Sequence, residues 1–233
     1  MNLSPLLIPE AYRYERKFHV RSENENMVYI SIKKHPAVFS SAFSSRYINN
    51  IYLDTNDYSH YWDNVAGLAK RIKVRIRWYG ECFGAINTPV LEFKIKDNQL
   101  GGKVSFPLAH INVDSSLSIE QIHERFKLLP IPAPLIDYLL TLRMSLMNRY
   151  RREYFISQNG DFRFTVDSEL SFTKLYNSDK NSFHKIKYPY SKILELKYDS
   201  CLDNEASMIA SNTPFRVTRS SKYVFGMQLL KIL

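Results

Sequence analysis

Apolar and charged positions alternate with period two along several stretches of the chain. The clearest is residues 70 to 79. Arg71, Lys73, Arg75 and Arg77 share one face, and Ile72, Val74, Ile76 and Trp78 share the other. Side chains alternate across a strand, and β-branched and aromatic residues favour one, so this stretch predicts a strand with one wholly basic face. Like charges in a row repel, and they persist only when water screens them or an anion lies opposite. The same alternation recurs elsewhere. Glu92, Lys94 and Lys96 oppose Leu91, Phe93 and Ile95, and Glu195 and Lys197 oppose Leu194, Leu196 and Tyr198. Glu15 and Lys17 share a face, as do Arg163, Thr165 and Asp167. A two-layer sheet would carry mixed polar residues outside, whereas a barrel with a charged lumen gives this pattern.

The remaining elements follow from periodicity and punctuation. Residues 12–20 predict a strand. Ser22 to Lys34 predicts a short helix, with Ser22 and Glu25 at capping-box spacing and Met27, Ile30 and Lys34 on one face. A strand over Arg46 to Asp54 precedes a short helix or turn at 57–64. Val90 to Asp97, a turn at 98–102 and Lys103 to Pro107 form a hairpin. Residues 116–129 predict a helix capped by Ser118, with Ile119, Ile122, Phe126 and Leu129 on one face. Leu135 to Met147 is apolar enough for a buried helix. Strands at 149–157 and 162–170 flank Asn159-Gly160, a strong hairpin signal. Tyr176 to Tyr190 reads as a polar loop and Lys192 to Tyr198 as a strand. Asp203 to Ser211 and Tyr223 to Leu233 read as helices. With no repeat and no linker, the expectation is one domain over residues 1–233, of α+β class: an antiparallel β-barrel with helices packed outside.

Composition sharpens this picture. Lysine plus arginine is 32 against 23 acidic residues, a net charge of +9, which favours a polyanionic partner. The basic residues alternate against an apolar face rather than lying beside exposed aromatics, which argues against nucleic acid. Cys82 and Cys201 are far apart and without ligand spacing, as expected of free thiols in a cytoplasmic protein. The first residues lack the basic region of a signal peptide. No stretch approaches the roughly 18 apolar residues of a spanning helix, so the sequence carries no membrane segment of its own; a membrane partner stays open. The histidines show no ligand spacing, and no catalytic triad, P-loop or dinucleotide fingerprint is present.

One ordered series of motifs carries a family likeness. It comprises Glu15-Arg-Lys17, Lys73-x-Arg-x-Arg-Trp-Tyr79, Leu91-Glu-x-Lys-x-Lys96, Arg149-Tyr-x-Arg152, Arg163-x-Thr-x-Asp167, Leu194-Glu-x-Lys197 and Ser221-Lys-Tyr223. The series spans roughly residues 12–230 and resembles the VTC domain, the polyphosphate polymerase module of the triphosphate tunnel metalloenzymes. The resemblance implies an eight-stranded antiparallel tunnel, whose lysines and arginines hold a triphosphate or polyphosphate and whose carboxylates hold Mn²⁺ or Mg²⁺. It also implies transfer of the γ-phosphoryl group of ATP to a polyphosphate chain. Relatives in the wider superfamily hydrolyse triphosphates or cyclise ATP. The first motif here is Glu-Arg-Lys rather than the Glu-x-Glu-x-Lys of the cyclase and thiamine triphosphatase branch, which lowers those two chemistries.

Phosphoryl transfer needs alignment and charge neutralisation more than covalent help, and a lumen of arginine and lysine supplies both. Phosphate binding is therefore expected of Arg75, Arg77, Lys94, Lys96, Arg152, Arg163, Lys197 and Lys222, with Lys17, Lys73, Lys103 and Arg219 beside them. Lys73 and Arg71 read equally as solvated charges at a mouth. Catalysis falls to Arg75, Arg77, Lys94, Arg152, Lys197 and Glu195. Glu195 is the expected metal ligand, with Glu92 and Glu15 as lesser candidates that serve equally to orient neighbouring lysines. Asp167 reads as a structural partner of lumen arginines. Tyr150 and Tyr154 face a choice between stacking on a base and core packing, and core packing is the plainer reading. Polymerase, hydrolase and a non-catalytic polyanion-binding module all stay open at this level.

Overall fold

The computed structural model describes residues 6–21, 24–175, 184–189 and 191–233. In chain order the elements are β1 (Arg13–Arg21), α1 (Glu25–Lys33), β2 (Ser40–Asp54), α2 (Ser59–Ala66), β3 (Lys70–Tyr79), β4 (Gly84–Ile86), β5 (Val90–Asp97), β6 (Leu100–Pro107) and β7 (Ile111–Val113). There follow α3 (Ile119–Lys127), α4 (Ala133–Leu140), β8 (Arg143–Ile156), β9 (Arg163–Lys174), β10 (Lys185–Tyr188), β11 (Ser191–Asp199), α5 (Asp203–Ser211) and α6 (Lys222–Leu229).

Eight strands pair antiparallel in the order β9-β11-β1-β6-β5-β3-β2-β8, and β8 pairs again with β9, so the sheet closes into a ring. The expected eight-stranded tunnel is therefore present, with helices around it. β10 adds to the second half of β9, beyond the segment paired with β11. The ring is thinnest between β1 and β6, where only Arg13↔Gly101 and Tyr14↔Leu100 pair. Further along that edge of β1, Val217 bridges Phe18, and the Thr218 amide donates to the Lys17 carbonyl at 2.7 Å. The segment leading into α6 thus covers the edge that β6 leaves open.

Period-two alternation sends the apolar face of each strand outward. Val74, Ile76, Trp78, Leu91 and Phe93 pack under α3 and α4 with Phe126, Leu135 and Leu139. Phe18, Phe164, Leu194 and Leu196 pack under α1 and α5. Each of these buried side chains stabilises the fold by about 1.5–3 kcal/mol relative to an exposed one. A third cluster lies on the lumen face at one end of the ring. There Tyr52, Leu146 and Ile193 meet Tyr223 and Met227 of α6. α6 approaches so closely that a Cβ on Gly226 would stand 2.5 Å from Phe172.

Several elements differ from expectation, each for a physical reason. The apolar run from Leu135 is not one helix: α4 ends at Leu140 and β8 begins at Arg143. β8 is covered on both faces here, by α3 and α4 outside and α6 within, so no polar alternation marks it. The expected loop at 176–190 contains β10, whose short Lys-Ile-Lys-Tyr alternation suits an edge strand; residues 176–183 and 190 lie outside the described residues. α1 buries Val28, Ser31 and Ile32 and leaves Met27 and Ile30 exposed. Its N-cap is Asn24, without a side-chain cap bond, and Ser22 lies outside the described residues. β6 starts at Leu100, so the turn is shorter than expected, with Asn98 at φ +53°. By contrast α3 has its cap: Gln121 N donates to Ser118 Oγ at 3.4 Å, and Ser118 N to Gln121 Oε1 at 3.0 Å.

Candidate active site: a basic lumen

Register stacks the inward charges into rows. Lys73, Lys94 and Lys103 lie side by side on β3, β5 and β6, and Arg75, Glu92 and Ser105 form the next row. On the opposite wall Glu15 pairs with Lys197 and Lys17 with Glu195 between β1 and β11. Glu195 in turn neighbours Thr165 of β9.

Three centres of negative charge organise these cations. Glu92, 3% exposed, accepts from Arg75 Nε at 2.8 Å and Arg75 Nη2 at 2.5 Å, with Arg77 at 3.5 Å and Lys103 at 3.4 Å. Glu15 accepts from Lys94 at 2.9 and 3.1 Å. Asp167 and Glu195 form the third. Arg152 donates to both oxygens of Asp167 at 2.5 and 2.6 Å, and Lys222, at the start of α6, also contacts Asp167. Glu195 is ringed more loosely, by Lys17 at 3.4 Å, Lys222 at 3.5 Å, Lys197 at 3.1 Å and Arg152 at 3.2 Å.

Burial pushes all four carboxyls up, but the surrounding cations outweigh it and hold Glu15, Glu92, Asp167 and Glu195 below the ordinary carboxylate range. The lysines divide. Burial lowers Lys17, but Glu195 and Glu15 carry it above its usual value. Burial drives Lys94 down to about 8, with Glu15 offsetting only part of the effect. Lys73 is driven well below its usual value by burial and by Lys17 and Lys94; its ammonium group donates to Ser221 Oγ at 2.9 Å.

Cations outnumber carboxylates throughout this space, and several of its polar atoms have no partner. Arg77 Nε, Asn50 Oδ1, Asn148 Nδ2 and Thr165 Oγ1 are buried and unpaired. All four residues lie on the lumen face, since Asn50 is in register with both Arg77 and Asn148, and Thr165 with Glu195. Buried polar groups are nearly always hydrogen-bonded, so this cluster marks where a polar guest belongs.

The lumen therefore gathers Lys17, Lys73, Arg75, Arg77, Lys94, Arg152, Lys197 and Lys222, with the largely exposed Lys103 at its edge. Other expected phosphate ligands lie nearer the mouths, Arg163 in register with Lys197 and Lys96 with Arg71, and Arg219 lies apart. Lys96 donates to the Gln99 carbonyl at the β5–β6 turn. Arg163 is exposed at the start of β9, and Arg219 is exposed beside Gly67. Tyr150 is buried, as core packing predicts, whereas Tyr154 is half-buried at a mouth of the ring. Reasoning from the sequence missed Asn50 and Asn148; the signal was an Asn pair, Asn49-Asn50, inside an apolar run. Arg46 was also missed.

Among the described residues no group of three or more His, Cys, Asp or Glu is arranged to hold a metal. Mg²⁺ needs only one or two carboxylates beside substrate phosphates and water. Glu195 fits that demand best, because its contacts of 3.1–3.5 Å are longer than a tight charged hydrogen bond. Glu15 stands near it and is held more tightly by Lys94. Glu92 fits poorly, being clasped by Arg75 away from the other carboxylates.

Comparison with known proteins agrees with this architecture. The family model of the VTC domain matches residues 12–231. Among solved structures, HpAC1 from Hippeastrum, a candidate adenylyl cyclase described as having a dominant triphosphatase activity, superposes with a TM-score of 0.54 at 11% identity, over 93% of this chain and 95% of that one. A candidate adenylate cyclase from Vibrio parahaemolyticus gives a TM-score of 0.50 at 10% identity, over 91% and 97%. No curated protein sequence matches significantly.

Proposed function

Because the chain belongs to the VTC domain family, we propose that it is a metal-dependent polyphosphate polymerase, transferring the γ-phosphoryl group of ATP to a polyphosphate chain held in the basic lumen. The observation that carries the reading is the excess of enclosed cations around unpaired lumen atoms, Arg77 Nε foremost. In this reaction a terminal oxygen of the acceptor chain attacks the γ-phosphorus. A new P–O bond forms while the bond to the β,γ-bridging oxygen breaks, and ADP leaves with that electron pair. The acceptor oxygen is already ionised, so no base is required. That suits carboxylates held below their ordinary range, which are weak bases. Arg77, Arg152 and Lys222 neutralise the equatorial oxygens and align donor with acceptor. A divalent ion, when bound, neutralises further phosphate charge; Glu195 would hold it, with Glu15 beside it.

Hydrolysis of a triphosphate is the second reading, because the same rows of inward cations can hold a triphosphate for attack by water. The Hippeastrum neighbour is itself described as a triphosphatase. The buried Cys82 thiol and the exposed Cys201 thiol, both free, support placing the domain in the cytoplasm. Incubation of purified protein with ATP and Mn²⁺, scored on a gel for polyphosphate and in solution for free phosphate, separates the readings. Chains that lengthen with time support the polymerase. Phosphate released without chains overturns it in favour of hydrolysis. Neither product, with tight triphosphate binding, leaves a polyanion-binding module.

A further inference from the structure

At the end of the ring where β3 and β8 finish, the lumen does not stop at its cations. Phe43 of β2 is 61% exposed and Tyr79 of β3 is 50% exposed, both unusual for aromatic rings of their size. Tyr154 of β8 completes the group, its ring meeting that of Phe43 edge-on at 5.8 Å. The three surround one guanidinium. Arg46 Cζ lies 4.9 Å from the Tyr79 centroid, 5.1 Å from that of Tyr154 and 5.9 Å from that of Phe43. Among the described residues Arg46 has no carboxylate partner.

This cluster is continuous with the phosphate-binding wall. Arg46 pairs in register with Arg152, the arginine that grips Asp167. The other arginine of this wall, Arg77, lies 5.3 Å from the Tyr79 ring. Burial raises the Tyr154 hydroxyl, while Arg152, Arg46 and Arg77 all pull against it, so one ring lies within electrostatic reach of three guanidiniums. A cluster of exposed rings around a guanidinium without a carboxylate partner therefore sits at the mouth, and the unpaired Arg77 Nε and the Arg152 cluster follow inside.

A nucleoside triphosphate has the same order of parts: a flat base, a sugar, then a chain of anionic groups. We propose that Phe43, Tyr79 and Tyr154 with Arg46 form a nucleobase subsite at this mouth, so that ATP enters phosphates first with its base stacked outside the ring. Base–aromatic stacking suits any base, and a guanidinium beside the rings adds both charge and a planar stacking partner. The inference rests on the tunnel reading above, and it fixes the direction in which the nucleotide lies.

The test compares ATP with inorganic triphosphate, by titration calorimetry on the full chain, in wild type, Phe43→Ala/Tyr79→Ala and Tyr79→Trp. Both truncated rings are half exposed or more, so their loss leaves the core intact. Wild type is expected to bind both ligands. The double variant should lose about tenfold or more in ATP affinity while keeping its affinity for inorganic triphosphate, and Tyr79→Trp should keep ATP affinity. Equal loss for both ligands, or no loss for either, overturns the base subsite and leaves the tunnel standing; the second outcome would assign the exposed rings to a protein partner. Failure of wild type to bind inorganic triphosphate overturns the tunnel reading itself, and the subsite with it.

Discussion

Replacing Asp167 with Asn tests whether the lumen carboxylates stand in for phosphate. Asp167 is 0% exposed, and the Arg152 and Lys222 side chains that grip it are each 9% exposed. Asn keeps the shape but removes the charge. Breaking a buried ion pair by removing one partner costs about 3–5 kcal/mol, because the other charge is left uncompensated. The low end applies here. Glu195 still contacts both Arg152 and Lys222, and its repulsion with Asp167 is relieved. A loss of about 3 kcal/mol lowers Tm by roughly 6–12 °C in a chain of this size. The assay is calorimetric melting in phosphate-free buffer, with and without inorganic triphosphate. Without ligand, Asp167→Asn should melt well below wild type. With ligand it should gain more than wild type, since the freed guanidinium and ammonium are paired by phosphate oxygens. A variant that melts at or above wild type without ligand, or gains less from triphosphate, refutes the idea.

The two arginines of β3 should separate binding from stability. Arg77→Ala removes a group with an unpaired Nε and a loose 3.5 Å contact, so triphosphate affinity should fall about tenfold or more with little change in Tm. Arg75→Ala strips Glu92 of its tightest partner and should lower Tm as well as affinity, read by the same titration and melt. Stability should also fall in acid. Asp167, Glu15, Glu92 and Glu195 are held below their ordinary values, so their contribution is complete above the unfolded carboxylate range of about 4, begins to fall there, and is lost progressively as pH drops toward the lower folded-state values. Urea midpoints at pH 7, 5 and 3.5 check the sign. Gly226→Ala should destabilise by about 1–3 kcal/mol through overpacking, because the added methyl meets Phe172 and Leu146; an unchanged melt would show that α6 can shift away.

Strand faces were legible because each inward charge alternates with an outward apolar residue, as in β3, β5 and β11. The hairpin at Gly160 and the Ser118 cap were legible because their signals are local. What the sequence could not convey was which charge neutralises which. Lys94 meets Glu15 of β1 rather than Glu92 on its own strand, and only the placement of β6 between β1 and β5 brings those strands together. β8 was hidden where helices cover both its faces. Arg46 and Phe43 were hidden because the first part of β2, Ser-Ser-Ala-Phe-Ser-Ser, carries no alternation and its register is broken by bulges.

The seam beside β1 has a consequence for synthesis. β1 is made early, yet its main partner is β11, with Tyr14 opposite Tyr198, and its other edge is covered by residues around Val217. Phe18 and Val20 therefore wait for nearly the whole chain before they are buried. Glu15 and Lys17 wait equally long for Lys197 and Glu195. Contacts this distant in sequence slow folding and prolong exposure of unpaired strands. The row of cations on β3, β5 and β6 can assemble earlier, but the cluster around Asp167 and Glu195 comes together only when β9 and β11 arrive. The lumen is thus a property of the closed ring, and until β11 is made β1 remains an open edge.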